Sequence, residues 1–223
     1  MKVILFGATG MVGQAVLREC LLAPDVEVVL CVGRAPTGQQ DPKLRELVRP
    51  DLFDLAPVEA ELRGYDACFF CLGVSSAGMT EEAYRRVTYD LTLSVAGVMV
   101  RLNPTMALVY VSGSGTDSTE QGRSMWARVK GRTENALLRL PFRAVYLFRP
   151  GYIQPMHGVT SRTALYRTIY LGMGPLFPLW RALAPGLVST SEQVGRAMLE
   201  VVRQRGPSRV LEVRDINALA PSS

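Results

Sequence analysis

Seven residues near the start of the chain carry most of the information about its architecture: Gly7-Ala8-Thr9-Gly10-Met11-Val12-Gly13. They follow the apolar run Lys2–Phe6, which reads as a strand, and they lead into Met11–Leu22, where apolar residues repeat with helical spacing. The three glycines allow a tight turn, a close approach of the backbone to a phosphate, and close contact between helix and strand. The free amides at the start of the following helix point at that phosphate. In this strand–turn–helix context the triplet predicts a dinucleotide-binding loop.

The rest of the chain continues the alternation of strands and helices. Further strands are predicted at Val26–Val32, Leu47–Leu52, Asp66–Leu72, Ala107–Ser112, Phe142–Phe148 and Arg209–Val213. Helices are predicted at Thr80–Leu102, with Thr80 as N-cap, at Ser124–Leu140, and at Ser189–Gln204, with Ser189 and Glu192 as a capping box. The polar stretch Gln39–Leu47 is predicted to be irregular, with one short helix. The alternation predicts an α/β fold: a Rossmann-like, doubly wound parallel sheet of about seven strands with a small C-terminal lobe.

Length and composition are those of an ordinary globular chain, because 48% of the 223 residues are hydrophobic and 20% are charged. We expect residues 1–151 to form the dinucleotide-binding core. Residues 152–188, rich in proline, glycine and large apolar side chains, are expected to form a substrate-side insertion or lid. Residues 189–223 would then supply a helix and a strand that return to the core.

Charge and cysteine content exclude several function classes. The net charge of +5 comes mostly from scattered arginines, and without clusters of basic residues interleaved with aromatics we expect no nucleic-acid partner. Cys68 and Cys71 lie three apart on a predicted strand, so they point to opposite faces, and we expect neither a metal site nor a redox pair. The chain begins without a signal peptide and has four free cysteines, which predicts a cytoplasmic location.

The residue after the second strand indicates which dinucleotide is bound. Arg34 lies 21 residues beyond Gly13, where an acidic residue would favour NAD and an arginine can bind the 2′-phosphate of NADP. We therefore predict NADP rather than NAD. Asp51 and Leu52 are placed either beside the adenine or in a solvated turn, and Gly73 is expected to leave room beside the cofactor.

Several motifs in order resemble those of the extended and atypical short-chain dehydrogenase/reductase superfamily, a group of NAD(P)-binding proteins that includes NAD-dependent epimerases and dehydratases. Within it, the chain is most similar to the small oxidoreductases related to the Tat-interacting protein. The motifs are the glycine loop, Cys71-Leu72-Gly73, Val111–Gly115, Val129-Lys130-Gly131 with Glu134, and Phe148–Gly151. The glycine loop, the strand ends and this resemblance together give the predicted cofactor-binding residues: Gly7, Thr9, Gly10, Met11, Val12, Gly13, Arg34, Asp51, Leu52, Cys71, Leu72, Gly73, Lys130, Pro150 and Gly151.

The resemblance also implies a catalytic Tyr-x-x-x-Lys pair on a helix, and this chain departs from it. Lys130 fits the lysine, but the position four before it holds Trp126, whose indole N–H is only a donor. Ser112 and Ser114 are candidates for the serine that polarises the substrate carbonyl, and Ser114 is preferred. Tyr152 is the best-placed substitute for the missing proton donor, although a packing tyrosine in a loop is the favoured interpretation of its position.

The stretch from Asn135 to Ser191 contains six arginines and no acidic residue, with an uncharged run at Thr168–Trp180. At 13 residues, with two glycines and two prolines, this run is too short and too irregular for a helix that spans a bilayer. We favour a pocket lid or the core of a small lobe, then a homodimer interface, and last association with a membrane surface. The expected function is an NADP-dependent oxidoreductase or epimerase acting on a small, apolar carbonyl or alcohol. The alternative is a regulatory or sensor protein that binds NADP and catalyses nothing.

Overall fold

The apolar strands of the sequence assemble into one sheet that is covered on both faces. In the computed structural model, residues 1–159, 186–204 and 206–220 are described. Within these ranges the sheet contains seven strands: β1 (Lys2–Phe6), β2 (Val28–Gly33), β3 (Leu44–Val48), β4 (Ala67–Phe70), β5 (Ala107–Val111), β6 (Ala144–Arg149) and β9 (Val210–Glu212). They pair in parallel in the order β3-β2-β1-β4-β5-β6-β9. The predicted Rossmann-like parallel sheet is confirmed.

Helices pack on both faces of this sheet. They are α1 (Met11–Leu22), α2 (Glu81–Arg85), α3 (Leu91–Leu102), α4 (Met125–Leu137), α5 (Ser191–Gln204) and α6 (Val213–Leu219). One apolar cluster lies between the sheet and α1, α5 and α6, and a second lies between the sheet and α3 and α4. The order of the strands reverses between β1 and β4, and ligands of such sheets bind at the carboxyl ends of the strands at this point.

Two predicted elements differ from the structure, one in its bounds and one in its regularity. The third strand is Leu44–Val48, not Leu47–Leu52, and the stretch predicted to be irregular with a short helix ends in this strand, which pairs with β2 at the sheet edge. The helix predicted at Thr80–Leu102 is interrupted by a π-helical turn at Arg86–Asp90, where the Thr92 hydroxyl donates to the Thr88 carbonyl at 2.5 Å.

The C-terminal segment begins differently from its prediction. The helix expected from Ser189 begins at Ser191, and the reciprocal capping hydrogen bonds join Thr190 and Gln193, not Ser189 and Glu192. Three residues before the helix form β8 (Val188–Thr190), which pairs in parallel with β7 (Tyr152–Gln154) in a separate two-stranded sheet. The uncharged run Thr168–Trp180 lies outside the described residues, so the lid and the three-part division of the chain stay predictions.

Candidate nucleotide-binding site

The glycine loop is shaped by contacts that leave no room for side chains at two of its three glycines. Gly7 has a φ of +85°, and a Cβ there would lie 2.7 Å from the carbonyl carbon of Cys71 at the end of β4. A Cβ on Gly13 would lie 2.0 Å from the Gly7 carbonyl oxygen, so helix α1 sits directly on the loop. Gly10 differs, because its Cβ would meet only that oxygen, at 3.4 Å. The fold itself therefore does not require glycine at position 10, whereas a ligand approaching the backbone would.

The N-terminus of α1 has the features of an anion site. Gly10 is its N-cap and provides no side-chain hydrogen bond, and the first turn contains no acidic residue. Met11 and Val12 in this turn pack partly against the core, so the turn is held in place by its own apolar side chains. Thr9 accepts a hydrogen bond from the Gln14 side chain through its carbonyl oxygen, at 3.0 Å. The first-turn amides receive no side-chain cap, which suits a phosphate group.

A cleft opens beside this loop at the ends of β1, β2 and β3. Its lining includes Gly7, Ala8, Thr9, Cys31, Val32, Gly33, Arg34, Ala35, Thr37, Glu46, Val48, Leu52 and Leu72. The structure therefore brings together three parts of the predicted cofactor site: the glycine loop, Arg34, and the apolar pair Leu52 and Leu72. The Arg34 side chain is exposed and forms no hydrogen bond or ion pair with any other described residue.

One predicted residue, Asp51, lies at the margin of this cleft, and the cleft contains several residues that were not predicted, among them the polar pair Glu46 and Thr37. The Asp51 carboxylate accepts the backbone amide of Phe53 at 2.8 Å, which closes a turn beside the cleft. Glu46 and Thr37 line the cleft, and the Glu46 carboxylate accepts the Thr37 amide at 2.6 Å. Correct placement of β3 would have revealed Glu46, because alternation puts it on the same face as Leu44 and Val48.

Lys130 reaches the end of β5 from helix α4. Its ammonium nitrogen donates to the carbonyl oxygen of Ser112 at 2.5 Å. Burial lowers the pKa of Lys130 to about 8, and the nearby carboxylate of Glu134 opposes this shift. Lys130 is thus a partly buried side chain held at the end of β5, and most Lys130 side chains remain protonated at neutral pH.

The two serine candidates have different surroundings. Ser112 is buried, and its hydroxyl donates to Glu134 at 2.5 Å, with the Phe148 carbonyl 3.1 Å away. Its proton is therefore engaged inside the protein. Ser114 is exposed, and its backbone amide donates to the Pro150 carbonyl at 2.9 Å, which joins the loop after β5 to the end of β6. Of the two side chains, that of Ser114 is the one accessible to a ligand.

Trp126, at the position of the missing tyrosine, lies over the loop that carries Ser114. Gly115 in this loop has a φ of +84°, and a Cβ there would lie 3.5 Å from the indole ring. The ring is partly exposed and lies one helical turn before Lys130, on the same side of α4. Trp126 can therefore form a wall of the site, but its indole offers no group that exchanges a proton near neutral pH.

The structure surrounds three other predicted site residues, Gly151, Tyr152 and Gly73, in different ways. A Cβ on Gly151 would lie 2.4 Å from the Leu187 carbonyl oxygen, so packing against residue 187 explains this glycine without a cofactor. The Tyr152 hydroxyl donates to the Gln154 side chain at 3.0 Å, and burial raises the pKa of Tyr152. Gly73 leaves open space, since nothing lies within 4 Å of a Cβ built there.

Cys31 is buried but lines this cleft, whereas the other three cysteines and His157 are not among its lining residues. Cys68 and Cys71 pack in the clusters on opposite faces of the sheet, and burial raises the pKa of both thiols. His157 pairs with Glu192 at the start of α5, at 2.7 Å. Across the three described ranges no group of three or more His, Cys, Asp or Glu side chains is arranged to hold a metal ion. In the same ranges, every helix is too short or too polar to cross a bilayer.

Comparison with known proteins places this geometry in a family. Residues 3–124 match the sequence profile of the NAD dependent epimerase/dehydratase family. A curated relative is "Protein fmp52, mitochondrial" of Emericella nidulans, 27% identical over 203 residues, which are 88% of this chain and 84% of that protein. Another is "Protein HTATIP2" of Rattus norvegicus, 24% identical over 155 residues, 68% of this chain and 62% of that one. The resemblance to relatives of the Tat-interacting protein is confirmed.

Solved structures show the same fold at low sequence identity. A short-chain dehydrogenase/reductase of Saccharomyces cerevisiae, YIR035C, superposes with a TM-score of 0.67 at 14% identity and covers 98% of both chains. MoeE5 in complex with UDP-glucuronic acid and NAD superposes with a TM-score of 0.68 at 18% identity, over 98% of this chain and 80% of that one.

One expectation is overturned: relatives from Emericella nidulans and Scheffersomyces stipitis are named as mitochondrial proteins, which contradicts the predicted cytoplasmic location.

Proposed function

Because the chain belongs to the NAD dependent epimerase/dehydratase family, we propose that it binds NADP in the cleft beside the glycine loop and acts as an oxidoreductase or epimerase on a small, apolar carbonyl or alcohol. The observation that carries this proposal is one cleft that contains both the loop and the exposed side chain of Arg34, which has no partner among the described residues. The pyrophosphate would bind at the N-terminus of α1, with the adenine between Leu52 and Leu72.

The choice of NADP over NAD rests on Arg34. An exposed guanidinium at the end of β2 can form charge-assisted hydrogen bonds with a 2′-phosphate. Such bonds contribute about 1.5–3 kcal/mol, which corresponds to roughly a tenfold to hundredfold difference in affinity. Glu46 lies in the same cleft, but its carboxylate is held by the Thr37 amide. Arg34 is therefore the charged side chain of the cleft that has no partner among the described residues.

The chemical step depends on residues at the ends of β5 and β6. When bound, NADPH would supply a hydride from its nicotinamide ring and NADP⁺ would accept one. Lys130 would hold the nicotinamide ribose, and the exposed hydroxyl of Ser114 would donate to the substrate oxygen. Tyr152 is the proposed proton donor, since it follows Pro150, whose carbonyl binds the Ser114 loop. The phenol is protonated at neutral pH, as a proton donor in carbonyl reduction must be, and it would exchange its hydrogen bond to Gln154 for one to the substrate oxygen.

A second function is favoured by Trp126. With indole in place of the phenol, the site keeps the groups proposed to bind a nucleotide but lacks the proton donor that the resemblance implies. A protein that binds NADP without turnover, as a sensor or regulator, accounts for this pattern. Lys130 is compatible with both functions, because it contacts the cofactor in each.

Calorimetry tests cofactor choice. We expect wild-type protein to bind NADP more tightly than NAD, and Arg34→Ala to weaken NADP binding at least tenfold while leaving NAD binding unchanged. Arg45→Ala is the matched control, because Arg45 is also exposed but donates to the carbonyls of Pro42 and Leu44 on β3 and does not line the cleft. Tighter binding of NAD than of NADP by the wild type would reject the assignment.

Turnover distinguishes the two functions. NADPH oxidation is followed with a panel of small aliphatic and aromatic aldehydes and ketones, beside the binding titration. Turnover of any member at a rate above that of Tyr152→Phe supports the enzyme with Tyr152 as donor. Tight NADP binding with no turnover across the panel supports the sensor instead.

A further inference from the structure

Glu134 is the centre of a buried polar network that lies outside the glycine loop. Only 1% of its surface is exposed, and it lies on α4, one turn after Lys130. Its carboxylate accepts hydrogen bonds from the Ser112 hydroxyl at 2.5 Å and from Arg149 at 3.0 and 2.5 Å. A carboxylate this deeply buried is costly unless it is fully paired, so its partners are part of a defined arrangement.

The network holds Ser112 from both ends. The Ser112 carbonyl accepts the Lys130 ammonium, while the Ser112 hydroxyl donates to Glu134. The Ser112 amide also donates to the Phe148 carbonyl at 2.8 Å, which ties this residue to β6. The bond that holds Lys130 therefore depends on a residue whose side chain is fixed by Glu134.

From these contacts we infer that Glu134 is a positioning residue, which acts through Ser112 and its own negative charge to keep Lys130 in place and protonated for the nicotinamide ribose. This inference rests on the proposed function only for the ligand that Lys130 would bind, the nicotinamide ribose. The arrangement itself is a property of the protein without its nucleotide.

The charge balance around Lys130 supports this role. Burial lowers the pKa of Lys130, and the Glu134 carboxylate is the charge that raises it. Arg149, facing from β6, pairs with Glu134 and also with Glu212 at 3.2 Å. Tyr110 on β5 lies near Glu134, but burial raises the pKa of its phenol, so it adds no charge. Loss of the Glu134 charge would leave Lys130 buried without a compensating anion.

Nuclear magnetic resonance tests this directly, because the chain contains only three lysines, Lys2, Lys43 and Lys130. In nucleotide-free protein with isotope-labelled lysine, the Lys130 signal, assigned with Lys130→Met, should titrate near pH 8 in the wild type. In Glu134→Gln its midpoint should fall by about one pH unit, as expected for loss of a neighbouring opposite charge. The other two lysines should not move.

Two further variants separate charge from packing. Ser112→Ala removes the hydroxyl but keeps the carboxylate, and should leave the Lys130 midpoint unchanged. Should Glu134→Gln fail to fold, Glu134→Gln combined with Arg149→Met removes both charges of the pair, and the Lys130 midpoint should still fall, by less than in the single variant because a cation is lost with the anion. An unchanged Lys130 midpoint in Glu134→Gln, or in the double variant if Glu134→Gln does not fold, would overturn the inference, since a merely structural role leaves the titration where it was.

The NADP titration is repeated across pH. In the wild type, NADP affinity should decline as pH rises through the Lys130 midpoint, and in Glu134→Gln the decline should begin about one pH unit lower. A shifted lysine midpoint without any NADP binding would reject the proposed function and leave the electrostatic role intact. NADP binding with an unshifted midpoint would reject the role of Glu134 and leave the proposed function intact.

Discussion

Replacing Gly13 with alanine tests the contact between helix α1 and the glycine loop. The new Cβ would lie 2.0 Å from the Gly7 carbonyl oxygen, 2.6 Å from its carbon and 2.9 Å from the Ala8 Cα. All three atoms belong to the backbone, so no side-chain rotation relieves the contact. The helix or the loop must move by about 1.4 Å to reach an ordinary van der Waals distance of 3.4 Å.

The expected net effect is a loss of stability. Alanine in a helix is favoured over glycine by about 1 kcal/mol. Overpacking typically costs about 1–3 kcal/mol, and a backbone contact this short lies at the upper end of that range. We therefore expect Gly13→Ala to lower the free energy of unfolding by about 2 kcal/mol, or to lower the melting temperature by about 4–8 °C for a chain of this length. The displaced loop should also lose most of its NADP affinity.

Gly97→Ala is the matched control, because Gly97 also lies inside a helix but nothing is within 4 Å of its Cβ. It should raise the free energy of unfolding by up to about 1 kcal/mol through helix propensity alone. Urea unfolding followed by circular dichroism measures both variants. If Gly13→Ala is as stable as Gly97→Ala, the close packing of α1 on the loop is refuted.

Three other predictions concern the loop, the chemistry and a surface ion pair. Gly10→Ala should leave the free energy of unfolding nearly unchanged, since its Cβ meets only one atom at 3.4 Å, but should weaken NADP binding at least tenfold in calorimetry. Tyr152→Phe should lower kcat in NADPH oxidation without changing NADP affinity, and an unchanged kcat would remove Tyr152 from the chemistry. The Arg203 guanidinium lowers the pKa of Asp25, so the pair stabilises the fold above about pH 4 and this contribution disappears as pH falls through the lowered pKa. Asp25→Asn should therefore cost less than about 1 kcal/mol at pH 7 and nothing at pH 2, as urea unfolding at the two pH values would show.

Residues whose environment is set locally were predictable from the sequence. Lys2–Phe6 and Met11–Leu22 have the bounds that periodicity predicts, because a buried apolar strand and an amphipathic helix follow from their own side chains. The edge strand Leu44–Val48 was misplaced, since its pairing with β2 and not its charged composition decides it. That error hid Glu46 from the predicted cleft.

The candidate site divides in the same way. The glycine loop follows β1 and Arg34 follows β2. Because these two strands are parallel neighbours, their carboxyl ends lie side by side and both features line one cleft. The engagement of Ser112 by Glu134 could not be predicted, because it joins residues 22 positions apart through side-chain rotamers. The structural reason for Gly151 likewise comes from Leu187, which is distant in sequence.

A crystal structure of the full chain with NADP tests the central claim most directly. The claim predicts density for the pyrophosphate at the first-turn amides of α1 and for the 2′-phosphate within hydrogen-bonding distance of the Arg34 guanidinium. A glycine loop without nucleotide density at saturating NADP, or a nucleotide bound elsewhere on the molecule, would contradict it.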